Sequence, residues 1–145
     1  MKNNFTASII VDQSPEEVFQ AVNNVRGWWT ENAEGNFDKL NDEFSVRFGE
    51  VHYSNQKLID MQPGKKVTWL VTDCKLNFIK DQQEWTNTKI HFDITPKGNQ
   101  TELRFTHEGL NPEVECYDAC SNAWGPYITS SLKKLIAEGK GTPTV

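Results

Sequence analysis

Apolar residues return at every second position in one short run after another, with turn residues between the runs. Phe5, Ala7, Ile9 and Val11 alternate with Thr6, Ser8 and Ile10. Phe44, Val46 and Phe48 alternate with Ser45 and Arg47. Val67, Trp69 and Val71 mark another run, Ile90, Phe92 and Ile94 the next, and Leu103, Phe105 and His107 the last. A period of two is a strand with one apolar face. Val51 to Met61 reads as extended too, with Val51, Tyr53, Ile59 and Met61 in phase on that face. Gly49-Glu50, Pro63-Gly64 and Lys97-Gly98-Asn99 are turn signals that link the runs as hairpins. Hairpin-linked strands with one apolar face require a cover on that face.

Two stretches carry helical spacing instead. Ser14 is placed to cap a helix, Pro15 suits its first position, and Glu17 completes a capping box. Val18, Phe19, Val22 and Val25 follow, and Gly27 breaks the pattern before Trp28-Trp29. Near the other end, Asn111 and Pro112 read as a helix start. Tyr117, Cys120, Trp124, Tyr127, Ile128, Ser131 and Leu135 then share one face, and Gly139 reads as the stop. Pro126 lies inside this helix and predicts a kink. The C-terminal helix is the one element long enough to cover the sheet. The expectation is an α+β fold spanning 1–145 as one domain: a curved antiparallel sheet of six or seven strands wrapped around the C-terminal helix, with short helices after the first strand. Residues 30–42 read as a loop with one short edge strand near Phe37. Residues 74–86, with apolar Leu76, Phe78 and Ile79 before polar 80–84, read as a long connection that is either a mobile lid or a long hairpin.

The charge balance restricts partners. Fifteen Lys and Arg stand against 20 Asp and Glu, for a net charge of −5. The basic residues are scattered, which argues against nucleic acid, whose phosphates call for a concentrated basic face. No run of eighteen apolar residues predicts a membrane span, and MKNNFTASII lacks the apolar core of a secretory leader. The expected location is the cytoplasm, where Cys74, Cys116 and Cys120 would be reduced thiols.

The motifs join into a resemblance. Ser14-Pro15-Glu16-Glu17-Val18-Phe19, Trp28-Trp29, and Pro63-Gly64-Lys65-Lys66-Val67 before Trp69 come first. Leu103-x-Phe105-Thr106-His107-x-Gly109-Leu110, Trp124-Gly125-Pro126-Tyr127 leading to Ser131-Leu132, Leu135 and Gly139-Lys140-Gly141 complete the series. In this order and spacing the chain resembles the START-like superfamily, the helix-grip fold of the birch-pollen-allergen type. Within it, the chain is similar to bacterial homologues of the activator of the 90-kDa heat-shock protein ATPase. The resemblance implies an incomplete barrel around the final helix and a cavity between them. Members bind lipids, hormones or polyketides, and some act as cyclases. A chaperone partner is the other implication. In eukaryotic co-chaperones that contact belongs to an additional N-terminal domain, for which 145 residues leave no room.

The candidate site follows from the inward phase of the strands and helix. Phe44, Phe48, Trp69, Phe92, Phe105, Trp124 and Tyr127 either line a cavity or fill the core. Trp28 and Trp29 either close the cavity mouth or plug the core. His107, in phase with Leu103 and Phe105, either holds a polar ligand group or works as acid or base, or it is a hydrogen-bonded histidine ordering the strand–helix junction. Cys116 and Cys120 lack the spacing of common zinc sites and read as buried core residues. No nucleophile elbow, phosphate loop or metalloprotease motif is present. A catalytic residue, cofactor or metal is therefore not expected. The favoured reading is a binding module for a small hydrophobic or amphipathic molecule. The alternatives are an acid/base enzyme of cyclase or hydrolase type on a hydrophobic substrate, or an interaction protein that stimulates a chaperone ATPase.

Overall fold

Alternation and hairpin turns produce seven antiparallel strands in one open sheet, in the order β1-β7-β6-β5-β4-β3-β2. The computed structural model describes residues 4–77 and 79–144, so Phe78 lies outside the described residues. In chain order the elements are β1 (Phe5–Val11), α1 (Pro15–Asn23), α2 (Val25–Trp28), β2 (Ala33–Gly35), β3 (Glu43–Phe48), β4 (His52–Gln62), β5 (Lys66–Leu76), β6 (Lys89–Lys97) and β7 (Gln100–Glu108). The C-terminal helix follows as α3 (Tyr117–Pro126), a π-helical turn (Tyr127–Leu132) and α4 (Lys133–Glu138). This is the α+β helix-grip arrangement that the alternation called for.

The first helix forms as its cap predicts. Glu17 N–H donates to Ser14 Oγ at 3.2 Å, and Ser14 N–H donates to Glu17 Oε1 at 3.3 Å. Val18, Phe19, Ala21 and Val22 face the core.

Four local expectations are corrected. The short edge strand is Ala33–Gly35, not at Phe37. Gly35 has φ +112°, and a Cβ there would lie 2.5 Å from Glu43 O, so this crossing of β2 over β3 admits only glycine. Phe37 instead packs edge-on against Phe44.

In β4 the inward residues are His52, Ser54, Gln56 and Leu58, while Val51 is half exposed. The pairing explains the phase: Phe48 sits opposite His52, Val46 opposite Ser54 and Phe44 opposite Gln56. Directly opposed residues share a face, so the apolar face of β3 draws a polar row of β4 inside with it. Register shifts at Asn55/Gln56 and Leu58/Asp60 then bring Met61 opposite Val67, so the expected phase holds again at Met61.

Residues 74–76, expected in the connection, complete β5, with Cys74 and Leu76 buried.

The C-terminal helix starts at Tyr117 rather than at Pro112. Asn111 Oδ1 accepts from Glu113 N–H at 3.0 Å, a local turn that competes with helix. The disturbance expected at Pro126 takes the form of the π turn directly after it. That wider turn advances the register, so Ile128, Leu132 and Ile136 are buried and Leu135 is only half-buried.

Aromatic rings fill most of the space between sheet and helix. Trp69 is stacked with Trp29 at 5.8 Å and meets Phe44 and Phe92 edge-on at 5.0 and 4.8 Å. Phe105 joins Phe92 to Trp124. Each such ring buried contributes about 2–3 kcal/mol before the cost of ordering it. The segment after the helix returns to the tryptophans. Thr142 N–H donates to Ser131 Oγ, which donates to Trp28 O; Thr144 N–H donates to Trp29 O, and Thr144 O accepts from Glu31 N–H.

Candidate functional site

The hydrogen bonds around His107 have only one consistent direction. Trp124 Nε1–H is a pure donor and reaches His107 Nδ1 at 3.1 Å. The ring proton of neutral His107 is therefore on Nε2, which lies 2.9 Å from Thr88 Oγ1. Thr88 Oγ1–H in turn donates to Trp85 O at 2.6 Å. His107 is fully buried, and burial, helped by the charges of His52 and His91, lowers its pKa to about 3. Both ring nitrogens are engaged, and neither is left for a substrate. The residue joins β7, the C-terminal helix and the β5–β6 connection at one point.

That connection is bonded along its length. The Glu115 carboxylate accepts from the backbone N–H of Lys80 at 3.0 Å and of Asp81 at 3.3 Å. The Glu84 carboxylate accepts from Glu115 N–H at 2.9 Å and Cys116 N–H at 2.8 Å. Each segment thus supplies an acidic side chain to the other's free amides. Trp85 is carried inward beside this clasp. Its ring stacks on Trp124 at 5.8 Å and meets His52 and His107 edge-on, both at 4.8 Å.

A pocket of about 240 Å³ opens between this wall, the β3–β4 hairpin and the C-terminal helix. Of the ten residues expected at the site, Trp29, Phe48, Trp124 and Tyr127 line it. Trp28, Phe44, Trp69, Phe92, Phe105 and His107 do not; five are core rings, and His107 stands behind Trp124. The structure adds His52, Trp85 and the helix residues Ala119, Cys120 and Ala123. Ala119 and Ala123 are one turn apart, and their small side chains leave the mouth open. No Asp, Glu, Lys or Arg is among the lining residues.

Polar groups around the pocket are few. His52 Nε2 lies 3.0 Å from Ser54 Oγ, which accepts from Gln56 Nε2 at 2.6 Å. Ser54 Oγ thus ties His52 and Gln56 together along the inward face of β4. Burial lowers the His52 pKa to about 4, so the ring is neutral near pH 7. Trp85 Nε1, Trp69 Nε1 and Gln56 Oε1 are buried without a partner among the described residues. His52 and Trp85 escaped the sequence reading. The signal for Trp85 was a lone aromatic closing the polar run 80–84; His52 had none without the register.

The structure joins Cys116 and Cys120 in a disulfide, which corrects the expectation of reduced thiols. The turn that ends at Cys116 brings its Cα to 5.4 Å from that of Cys120, within the range a disulfide spans. Cys74 is free and buried. Among the described residues no group of three or more His, Cys, Asp or Glu is placed to hold a metal, and no helix is long and apolar enough to cross a membrane.

An open antiparallel sheet closed by a C-terminal helix, with an aromatic pocket between them, defines a helix-grip domain. Residues 12–137 match the family described as Activator of Hsp90 ATPase homolog 1-like protein, and the chain belongs to that family. The solution structure of the Aha1 dimer from Colwellia psychrerythraea is 26% identical, with a TM-score of 0.76, over 96% of this chain and 99% of that one. Mll3558 from Rhizobium loti is 21% identical with a TM-score of 0.70, over 88% of this chain and 93% of that one. CalU16 from Micromonospora echinospora is 12% identical with a TM-score of 0.62, over 85% and 69%. The last two share the fold alone. No curated protein matches the chain.

Proposed function

We propose that this domain binds a small hydrophobic or amphipathic molecule in the pocket between the β3–β4 hairpin, the Trp85 wall and the C-terminal helix. The observation that carries the reading is a pocket of about 240 Å³ walled by aromatic rings, left open where Trp28, Phe44, Trp69, Phe92 and Phe105 fill the core. Apolar walls supply affinity, and a few placed polar groups supply orientation. Acid/base catalysis by His107 loses its support, because both nitrogens are already bonded and burial holds the ring neutral. We place the protein in the cytoplasm, as a single domain over 1–145; in that reducing compartment Cys116 and Cys120, close enough to be joined, pair only on oxidation.

Native mass spectrometry of freshly purified protein tests the proposal, followed by titration with apolar fluorescent dyes. A stoichiometric bound molecule, or a dye displaced by added apolar compounds, supports it. A clean apo mass with no dye bound at high micromolar concentration overturns it. The family relation and the Aha1 neighbour favour a second reading, stimulation of a chaperone ATPase. An unchanged ATPase rate of a purified bacterial Hsp90-type chaperone would remove that reading.

A further inference from the structure

We propose that Cys116 and Cys120 form a redox-modification site: a dithiol that reacts with a small disulfide entering through the aromatic pocket, and whose closure fastens the clasp beside Trp85. The pocket serves here as a path, whatever else binds in it.

Spacing makes the pair. Residues four apart at the start of a helix lie one above the other on one face. Cys116 is the N-cap residue of α3, Cys120 N–H donates to Cys116 O at 2.7 Å, and the two Cα atoms are 5.4 Å apart. A disulfide spans that distance, so the bond forms on backbone that is already helical.

Access sets the order of reaction. Cys120 is a wall residue of the pocket, whereas Cys116 is fully buried and is not among the lining residues. No charged side chain lines the pocket, which suits a compact, uncharged disulfide. Cys74 lies outside this pocket, is free, and its Sγ is 3.5 Å from Gln82 O.

The chemistry is thiol–disulfide exchange. The Cys120 thiolate attacks one sulfur of the small disulfide. That S–S bond breaks, a mixed disulfide forms on Cys120, and one small thiol leaves. The Cys116 thiolate then attacks Cys120 Sγ, the protein disulfide forms, and the second small thiol leaves. The two cysteine protons depart with the two small thiols. The dithiol gives up two electrons and the small disulfide takes them.

Position gives the bond its consequence. Cys116 N–H and Glu115 N–H donate to the Glu84 carboxylate, and the Glu115 carboxylate accepts from Lys80 and Asp81 N–H. Trp85 follows Glu84 directly and stacks on Trp124. With the bond open, the turn that carries Glu115 and Cys116 is held to α3 by the main chain and non-covalent contacts. With it closed, a cross-link one helical turn long holds that turn, and the clasp opens less often.

The test starts from the fully reduced full-length chain, with bis(2-hydroxyethyl) disulfide as the oxidant, and reads thiol count, mass and peptide map. The wild type should pass from three thiols to one as a monomer, with Cys116 joined to Cys120 and no adduct retained, and dithiothreitol should restore all three. Cys116→Ser should stop at a hydroxyethylthio adduct on Cys120. Cys120→Ser should react at Cys116 about tenfold more slowly, as a buried thiol does. In the oxidised wild type the amides of Lys80, Asp81 and Cys116 should exchange hydrogen about tenfold more slowly than in the reduced form. Three thiols retained, a persistent adduct on wild-type Cys120, or disulfide-linked dimers overturn the redox site. Cys116 reacting as fast as Cys120 overturns the pocket as the path. Equal exchange in the two forms overturns the link to the clasp. Should a serine variant fail to fold, acid quenching of the wild-type reaction decides the order, by showing which cysteine carries the mixed disulfide.

Discussion

Lowering the pH from 7.5 to 5.5 should destabilise this domain through two buried histidines. Burial pushes His107 from the ordinary 6.5 to about 3, with smaller contributions from the charges of His52 and His91, and pushes His52 to about 4. In the folded state neither takes a proton in this window, whereas in the unfolded chain both do. The stabilisation is therefore complete above pH 6.5 and is lost progressively as pH falls toward the folded values. By pH 5.5 each histidine has removed on the order of 1 kcal/mol, and the pair roughly 2–3 kcal/mol. The size of this loss hardly depends on the folded pKa so long as it stays below about 5. The window also lies above the ordinary carboxylate range. Urea titrations followed by tryptophan fluorescence should show the midpoint falling by on the order of 1–2 M. His107→Gln keeps a donor and an acceptor without a titrating ring, so it should fold less stably but show about half the shift. A midpoint that barely moves between the two pH values, or a His107→Gln protein that keeps the whole shift, would refute the assignment of His107 as a buried neutral clamp.

Further outcomes are expected at the disulfide, at two glycines and at the first helix cap. Thiol titration of the unfolded, unreduced protein should count one thiol, Cys74, and three after reduction; Cys120→Ser should cost about 2 kcal/mol in a chemical melt, the closure entropy of so short a loop. Gly141→Ala should lower stability by about 1–3 kcal/mol, because the new Cβ would lie 2.5 Å from Gly27 O and 2.8 Å from Ser131 O, both backbone. Gly125→Ala, where nothing lies within 4 Å, should leave the melting temperature unchanged or raise it. Ser14→Ala should cost about 1 kcal/mol by loss of the α1 cap; a melting curve that overlays the parent would show the cap to be idle.

Most of the strands were legible because period two and turn residues are local signals. β1, β3, β6 and β7 follow the alternation residue by residue. The inward face of β4 was not legible. Nothing in His52-Tyr53-Ser54-Asn55-Gln56 announces that the polar set faces in; the pairing with β3 decides it, and pairing is long-range information. The same holds for the pocket. Sequence phase correctly turned Trp69, Phe92 and Phe105 inward, but it carries no depth. Whether an inward ring meets a neighbour or empty space depends on the helix opposite. There a proline, a π turn and two alanines decide where the packing stops. Trp85 lay outside every periodic run, and it is held at the site by long-range ties, the Glu84–Glu115 clasp and the Thr88–His107 link.

The ties between Thr144 and residues 29–31 have a consequence for synthesis. Thr30 Oγ1–H donates to the carbonyl of a residue 114 positions away. Closing a loop of that length costs about 4 kcal/mol in chain entropy, so the tie forms late in folding, once other contacts have shortened it. On a ribosome adding roughly 5–20 residues per second, Trp28 and Trp29 emerge on the order of ten seconds before the strand that stacks on them is finished and the segment that fastens their backbone arrives. During that interval two of the largest apolar surfaces in the chain stand without their partners. A nascent domain of this kind is a natural client for folding assistance, whatever it later binds.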